Sequence, residues 1–233
     1  MTLSVESVYN LLLDHFGHQH WWPVDTAYHQ TQKSDPRFEI IIGAILTQNT
    51  AWTNVEKALE NLKRKKMLTI RDLATIDEET LKTLIQPSGF FNQKACRLKI
   101  FASYIHAYYQ DNLQKFFSQS TSGLRCELLL IQGIGPETAD SILLYAGNHP
   151  VFVVDAYTKR ICRRLPLEGL DDSYEAIQHH FESELSSGIS KEQIVPIYKE
   201  FHALLVECAK HYCRKNKPIC QTCPLTRLCQ KSL

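Results

Sequence analysis

The chain has 233 residues, enough for one sizeable core or two small domains. Hydrophobic residues make up 44% and charged residues 22%, the balance of a soluble globular protein, and the longest apolar run (residues 40–46) is too short to cross a bilayer. A net charge of +1 gives no bulk attraction to nucleic acid, and MTLSVESVYN lacks a basic region followed by an apolar block, so an intracellular protein is expected.

Helical spacing dominates. Residues 4–16 place Val5, Val8, Leu12 and Phe16 on one stripe, and Gly17 follows as a stop. Polar, proline-bounded residues 18–36 read as a long loop carrying Trp21 and Trp22, a pair that either anchors the loop on the core or serves a ligand. Asp35 and Pro36 open a helix through Phe38, Ile41, Ile42 and Ile45 to Gln48. After LTQNT, a helix from near Thr50 carries Trp52, Val55, Leu59 and Leu62 and ends in basic residues 63–66, favourable at a C-terminus. The caps Thr69 and Asp77 predict short helices near 70–75 and 78–85. QPSGFFNQKA turns into a long helix with Ala95, Leu98, Phe101, Ile105 and Tyr108 apolar. Helices near 112–119 and 123–131 follow, then others at about 156–164, 173–185 and 190–212. The last has Ser190 and Gln193 as a capping box and Pro196 as a point of bending. Only residues 151–154 could be a strand, and no repeat or flexible linker is visible. The expected fold class is all-α.

Between these helices lies ELLLIQGIGPETADSILLYAGNHPVFVVDAYTKRICRRLP. Gly133 and Gly135 permit a sharp turn, Pro136 suits a first helical position, and the free N–H groups of that helix favour an anion. A basic segment follows Asp155: Lys159, Arg160, Arg163 and Arg164. Residues 203–233 add six Lys/Arg against one acid, Glu207. A local basic patch on a balanced chain suits a nucleic-acid backbone, although each feature alone is also an ordinary turn or a solvated surface.

Four of the eight cysteines (Cys96, Cys126, Cys162, Cys208) are scattered and read as buried small hydrophobes. The others form Cys213-x6-Cys220-x2-Cys223-x5-Cys229. Four thiols so close can share one metal centre, and spacing alone leaves zinc and an iron–sulfur cluster both open.

Leu130, Gly133 and Gly135, followed by Val154–Asp155, resemble the helix-hairpin-helix, glycine/proline-rich, aspartate superfamily of DNA glycosylases. The resemblance covers nearly the whole chain and is closest to the endonuclease III branch. It implies a six-helix barrel over residues 28–148. A second domain would join residues 1–27 to 149–233, with the hairpin and aspartate at the cleft. The cysteine spacing matches that branch's [4Fe–4S] loop, which implies a structural cluster whose negative charge Arg214, Lys215, Lys217 and Arg227 would offset. Asp155 takes the place of the carboxylate that stabilises the oxocarbenium-like transition state and positions water. Glu137 stands where bifunctional members carry a lysine nucleophile, which implies a monofunctional enzyme.

WWP, GAILTQNT, PSGFFNQKA and GIGPETADSIL further resemble the bacterial 3-methyladenine DNA glycosylases of this fold, some of which lack the cysteine loop. That likeness implies a base pocket with Trp21, Trp22, Trp52 and Glu137, whose aromatic faces would favour cationic alkylated purines. It implies DNA contacts at Gln48, Gly133, Ile134, Gly135, Thr138 and Lys159. Gln48 would fill the gap left by the flipped base, and Phe90 or Phe91 would act as a wedge. The hairpin would bind phosphate through main-chain N–H groups, a bound monovalent cation being one means. The expected partner is double-stranded DNA with a damaged base, bound by a monomer. The alternatives are a glycosylase/lyase for oxidised or mismatched bases and a non-catalytic DNA-binding module.

Overall fold

The computed structural model describes residues 3–167, 170–186 and 188–229. The chain forms two compact units, residues 22–148 and residues 1–21 together with 149–233. The described residues contain helices and turns but no strand, so the fold is all-α.

In the unit formed by residues 22–148, α3 (Pro36–Leu46) is the central rod. Phe38 through Leu46 are all buried, as expected of a helix apolar around its whole circumference. Asp35 caps it by accepting the Arg37 N–H at 2.9 Å, and Pro36 begins it. Then come α4 (Trp52–Arg64), α5 (Ile70–Thr75) and α6 (Glu78–Ile85), the last two capped by Thr69 and Asp77. A 3₁₀ turn (Gln86–Ser88) leads into α7 (Phe91–Tyr109), followed by α8 (Leu113–Phe117) and α9 (Thr121–Leu130).

The stretch 18–36 is not wholly loop. Residues Thr26–Gln32 form α2, capped by Asp25, which accepts the Tyr28 N–H at 2.9 Å. This helix is polar and lacks an apolar stripe. Its anchor is one buried histidine, His29, whose Nε2 lies 2.7 Å from Glu39 Oε2. Glu39 also accepts from Lys63 Nζ at 2.5 Å and from the Asp25 N–H at 3.3 Å, so this buried carboxylate is fully engaged.

The remaining unit is built on α13 (Lys191–His211), which buries Ile194, Val195, Tyr198, Phe201 and Leu204 among others. Its capping box at Ser190 and Gln193 is complete, and the helix runs on past Pro196. It packs with α1 (Val5–Phe16), α11 (Ala156–Cys162) and α12 (Tyr174–Leu185). Residues 151–154 are extended without becoming a strand. Their backbone groups are met by side chains instead: Phe152 N–H donates to Glu182 Oε1 (2.8 Å), and Gln178 Nε2 donates to the Phe152 carbonyl (2.7 Å). Phe152 stacks on Phe181 with ring centroids 4.8 Å apart.

Of the four scattered cysteines, Cys162 and Cys208 are buried, but Cys96 and Cys126 are exposed. The expectation of burial fails for those two because both point outward from helices whose buried faces use other positions.

Candidate active site

The hairpin joins α9 to α10 (Pro136–Ser141), which continues as a π-helical turn, Ile142–Ala146. Gly133 has φ +89°, open to glycine at little cost, and a Cβ there would meet Arg97 Cγ at 2.5 Å. Gly135 differs from the sequence expectation. Its φ of −95° is accessible to any residue, and a Cβ there would meet nothing within 4 Å. It therefore leaves open surface rather than enabling the turn. Ile134 is buried and its N–H closes the turn onto the Ile131 carbonyl at 3.0 Å. Leu130 is 87% exposed, and the apolar anchor beside the turn is Ile131. The two helices are braced by a bidentate pair, Arg125 Nε and Nη2 on fully buried Asp140 at 2.7 and 3.1 Å.

Gln48 reaches this hairpin. Its Nε2 donates to the Gly133 carbonyl (3.1 Å) and to Thr138 Oγ1 (2.9 Å), and its Oε1 accepts from Arg97. Thr138 is buried, so it serves as an internal partner of Gln48. Arg97 lies over Gly133 and was not anticipated. Nothing local marks it, since it meets the hairpin from α7.

Lys94, also on α7, is buried and donates to the carbonyls of Leu46 (2.8 Å) and Ser88 (2.6 Å). It thereby ties the segment before Gln48 to the turn before Phe90. Burial, helped by the Arg97 charge, lowers its amine to about 8. Phe90 sits at φ +46° and is 63% exposed, while Phe91 opens α7. A bulky residue held in left-handed backbone and turned to solvent is a candidate for contact rather than packing.

Trp22 and Trp52 come together edge to face, 5.2 Å between centroids, and Tyr145 of the π-helical turn approaches Trp22 at 5.1 Å. Trp22 lies directly on Gly43: a Cβ there would meet its ring at 3.0 Å. Trp52, with Pro23, Leu59 and Pro87, lines a cavity of about 850 Å³ that Glu39, Glu56 and Lys63 also face. Glu137 is exposed in the first turn of α10. Trp21 belongs to the other unit. It meets His202 edge-on at 6.1 Å, with Lys210 Nζ 5.3 Å from its ring centre.

In that unit Asp155 is the N-cap of α11. Its Oδ1 accepts the Thr158 N–H at 2.7 Å, and Oδ2 lies 3.7 Å from His202 Nε2. Side-chain exposure is 13% for Asp155 and 6% for His202. Burial pushes this carboxyl upward, but His202 and the Thr158 N–H outweigh it and hold the group below the ordinary carboxylate value. The net effect is a nearly enclosed carboxylate that is charged at neutral pH. Lys159, one turn on, lies 5.9 Å from the Tyr174 ring centre.

Cys213, Cys220, Cys223 and Cys229 line one small cavity of about 30 Å³ with Arg164, Ile219 and Thr226. No set of three or more His, Cys, Asp or Glu among the described residues is closed up in metal-holding geometry. The donor set nonetheless fits a thiolate-bound group, for Arg164 Nη1 stands 3.1 Å from Cys213 Sγ. Arg214 directs Nε to the Lys210 carbonyl. Arg160 fixes the start of the loop through the Cys213 carbonyl at 2.7 Å.

Residues 42–187 match the HhH-GPD superfamily of base excision DNA repair proteins. A protein of Methanocaldococcus jannaschii, provisionally named a DNA repair glycosylase, is 44% identical over 97% of this chain and 95% of its own. The structure of Helicobacter pylori 3-methyladenine DNA glycosylase (MagIII) bound to 1,N6-ethenoadenine is 30% identical. Its TM-score is 0.72, over 89% of this chain and 98% of that one. A non-covalent endonuclease III–DNA complex shares the fold at TM-score 0.75 and 22% identity, covering 97% and 94% of the two chains. The chain therefore belongs to the HhH-GPD superfamily of base excision DNA repair proteins, as a DNA glycosylase.

Proposed function

We propose that this glycosylase is monofunctional and releases alkylated purines, of the 3-methyladenine type, by hydrolysis of the N-glycosidic bond. The observation that carries the reading is Asp155, an enclosed carboxylate kept ionised by its surroundings. An anion near C1′ stabilises the oxocarbenium character that develops as the base departs, and the same oxygens can orient and deprotonate water. The reaction takes place on a base removed from the duplex stack. Trp22 and Trp52 offer electron-rich faces to a cationic base, each such contact worth roughly 0.5–2 kcal/mol. Trp21 is read as serving the base through the Asp155 side of the enzyme. Gly133, Ile134 and Gly135 present the hairpin to backbone phosphate, with Lys159 adding charge. Gln48 fills the vacated stack after leaving its hairpin partners, and exposed Phe90 is preferred to Phe91 as wedge.

Glu137 in the nucleophile's position cannot form an imine, and the one buried amine described here, Lys94, is committed to two carbonyls. The reading therefore excludes strand cleavage as part of turnover. Cys213, Cys220, Cys223 and Cys229 would hold a [4Fe–4S] cluster, with Arg164 facing one sulfur. When bound, the group serves as a structural brace for the basic loop.

The test is a panel of duplexes carrying methylated, oxidised, deaminated or mispaired bases, scored for free base and for borohydride-trapped enzyme. Release of methylated purines without a trapped adduct is expected. Preference for an oxidised or mispaired base, or a trapped adduct, would overturn the substrate or the monofunctional assignment respectively.

A further inference from the structure

His202 was not among the residues the sequence marked, yet it is the side chain that faces the candidate reacting carboxylate. It projects from the middle of α13, the most buried helix of its unit, with Nε2 3.7 Å from Asp155 Oδ2. That separation is an ion-pair distance, longer than a direct hydrogen bond. The Thr158 N–H holds Oδ1 from the opposite side at 2.7 Å. The two carboxylate oxygens are thus addressed by different elements, α11 and α13, and the carboxylate plane is fixed between them.

The setting of His202 is built rather than incidental. Trp21 covers it edge-on, and the same indole extends toward Lys210, eight residues further along α13 on the same face. The acid nearest in sequence, Glu200, is engaged elsewhere: it accepts the Gln19 N–H at 2.5 Å and lies 3.5 Å from His18 Nδ1. On α11, the titratable neighbour that senses Asp155 is the buried thiol of Cys162, which remains protonated. Within this unit, His202 and Thr158 at the head of α11 favour the ionised form of Asp155, and the Asp155 charge in turn helps keep the Cys162 thiol protonated.

We propose that His202 is a positioning residue for base excision, fixing the Asp155 carboxylate plane from α13 inside the enclosed site. This rests on the reading of Asp155 as the reacting group. His202 touches neither base nor sugar in this account. A water molecule or a sugar cation approaching Oδ2 would find that oxygen already oriented by the imidazole. Trp21 then acts as the plate that keeps bulk water from the pair, which gives it a function without direct base contact.

The experiment uses the full chain with Ala and Gln at position 202, beside Asp155→Asn. The first readout needs no substrate: the Asp155 carboxyl is titrated by carbon NMR, with Asp155→Asn supplying the assignment. In His202→Ala its midpoint should rise by roughly one unit or more, because burial is then opposed by Thr158 alone. The second readout is single-turnover base release from methylated duplex. His202→Ala should lose roughly 10- to 100-fold in rate with duplex affinity unchanged, the range expected when a reacting group is misplaced but present. His202→Gln, which can still donate toward Oδ2, should recover part of the rate. It also keeps the test informative if the Ala variant folds poorly. An Asp155 midpoint unchanged between wild type and both variants would overturn the inference. So would equal rates across them. Base release surviving in Asp155→Asn would instead overturn the assignment of Asp155 itself, a separate result read from a separate variant.

Discussion

Among the described residues, each unit encloses one histidine–carboxylate pair, and the two pairs are built differently. His29 and Glu39 touch at 2.7 Å, and Glu39 also takes Lys63 and the Asp25 N–H. His202 and Asp155 stand at 3.7 Å, and the Thr158 N–H also donates to the carboxylate. The first carboxylate is saturated with donors and fastens α2 to α3 and α4. The second is charged, enclosed and less tightly held, as a group must be if it is to meet a substrate. Burial of a carboxylate does not by itself mark function; what distinguishes the two is how much of each oxygen is already committed.

That contrast can be broken from either side. The largest expected effect on stability is at the saturated pair. Glu39→Ala strips a buried imidazole and a half-buried ammonium of their shared acceptor and should cost about 3–5 kcal/mol, read by denaturant unfolding. Asp155→Asn should be nearly neutral in the same measurement, within about 1 kcal/mol, since asparagine caps a helix as well as aspartate does. A large loss there would mean that Asp155 is structural after all.

Gly133→Ala and Gly135→Ala sharpen the account of the hairpin. The first meets both a positive φ and the Arg97 side chain and should destabilise by about 1–2 kcal/mol. The second, at ordinary φ with open space above it, should change stability by no more than about 0.5 kcal/mol. If Gly135 faces phosphate as proposed, its methyl group should still weaken duplex binding. Fluorescence anisotropy at fixed salt checks this.

The smallest effect concerns pH. Asp155 lies below its ordinary value in the folded protein, so the stability it contributes is present above the unfolded carboxylate range, near pH 4. It is lost only as pH falls through the lower folded value. Base release should accordingly show no acidic limb due to this group above about pH 4. In His202→Ala that limb should move up into the measurable range.

Much of this was legible because it is local. Asp35, Thr69, Asp77 and Ser190 cap helices within three residues of themselves, and short-range polar spacing reveals such caps. Helix α2 escaped notice because one buried histidine, rather than an apolar stripe, anchors it. Extended residues 151–154 carry the composition of a strand, but α12 side chains occupy the backbone groups that a neighbouring strand would need. The surroundings of the proposed reacting group were less visible than the group itself. Asp155 follows a readable motif, whereas His202 lies 47 residues away on a helix whose sequence looks like core. Arg97 and Tyr145 are likewise brought to the hairpin and to Trp22 only by packing. The cysteine spacing is explicit in sequence, while the cation that reaches a sulfur, Arg164, comes from the turn that follows α11.

The account stands most directly on one comparison: free base released from methylated duplex DNA by the wild-type chain and by Asp155→Asn, at equal occupancy of the DNA. The wild type should release methylated purine and leave the abasic strand intact. The variant should bind the duplex and release base at least about a hundredfold more slowly. Undiminished release by the variant, with DNA binding and fold unchanged, would contradict it.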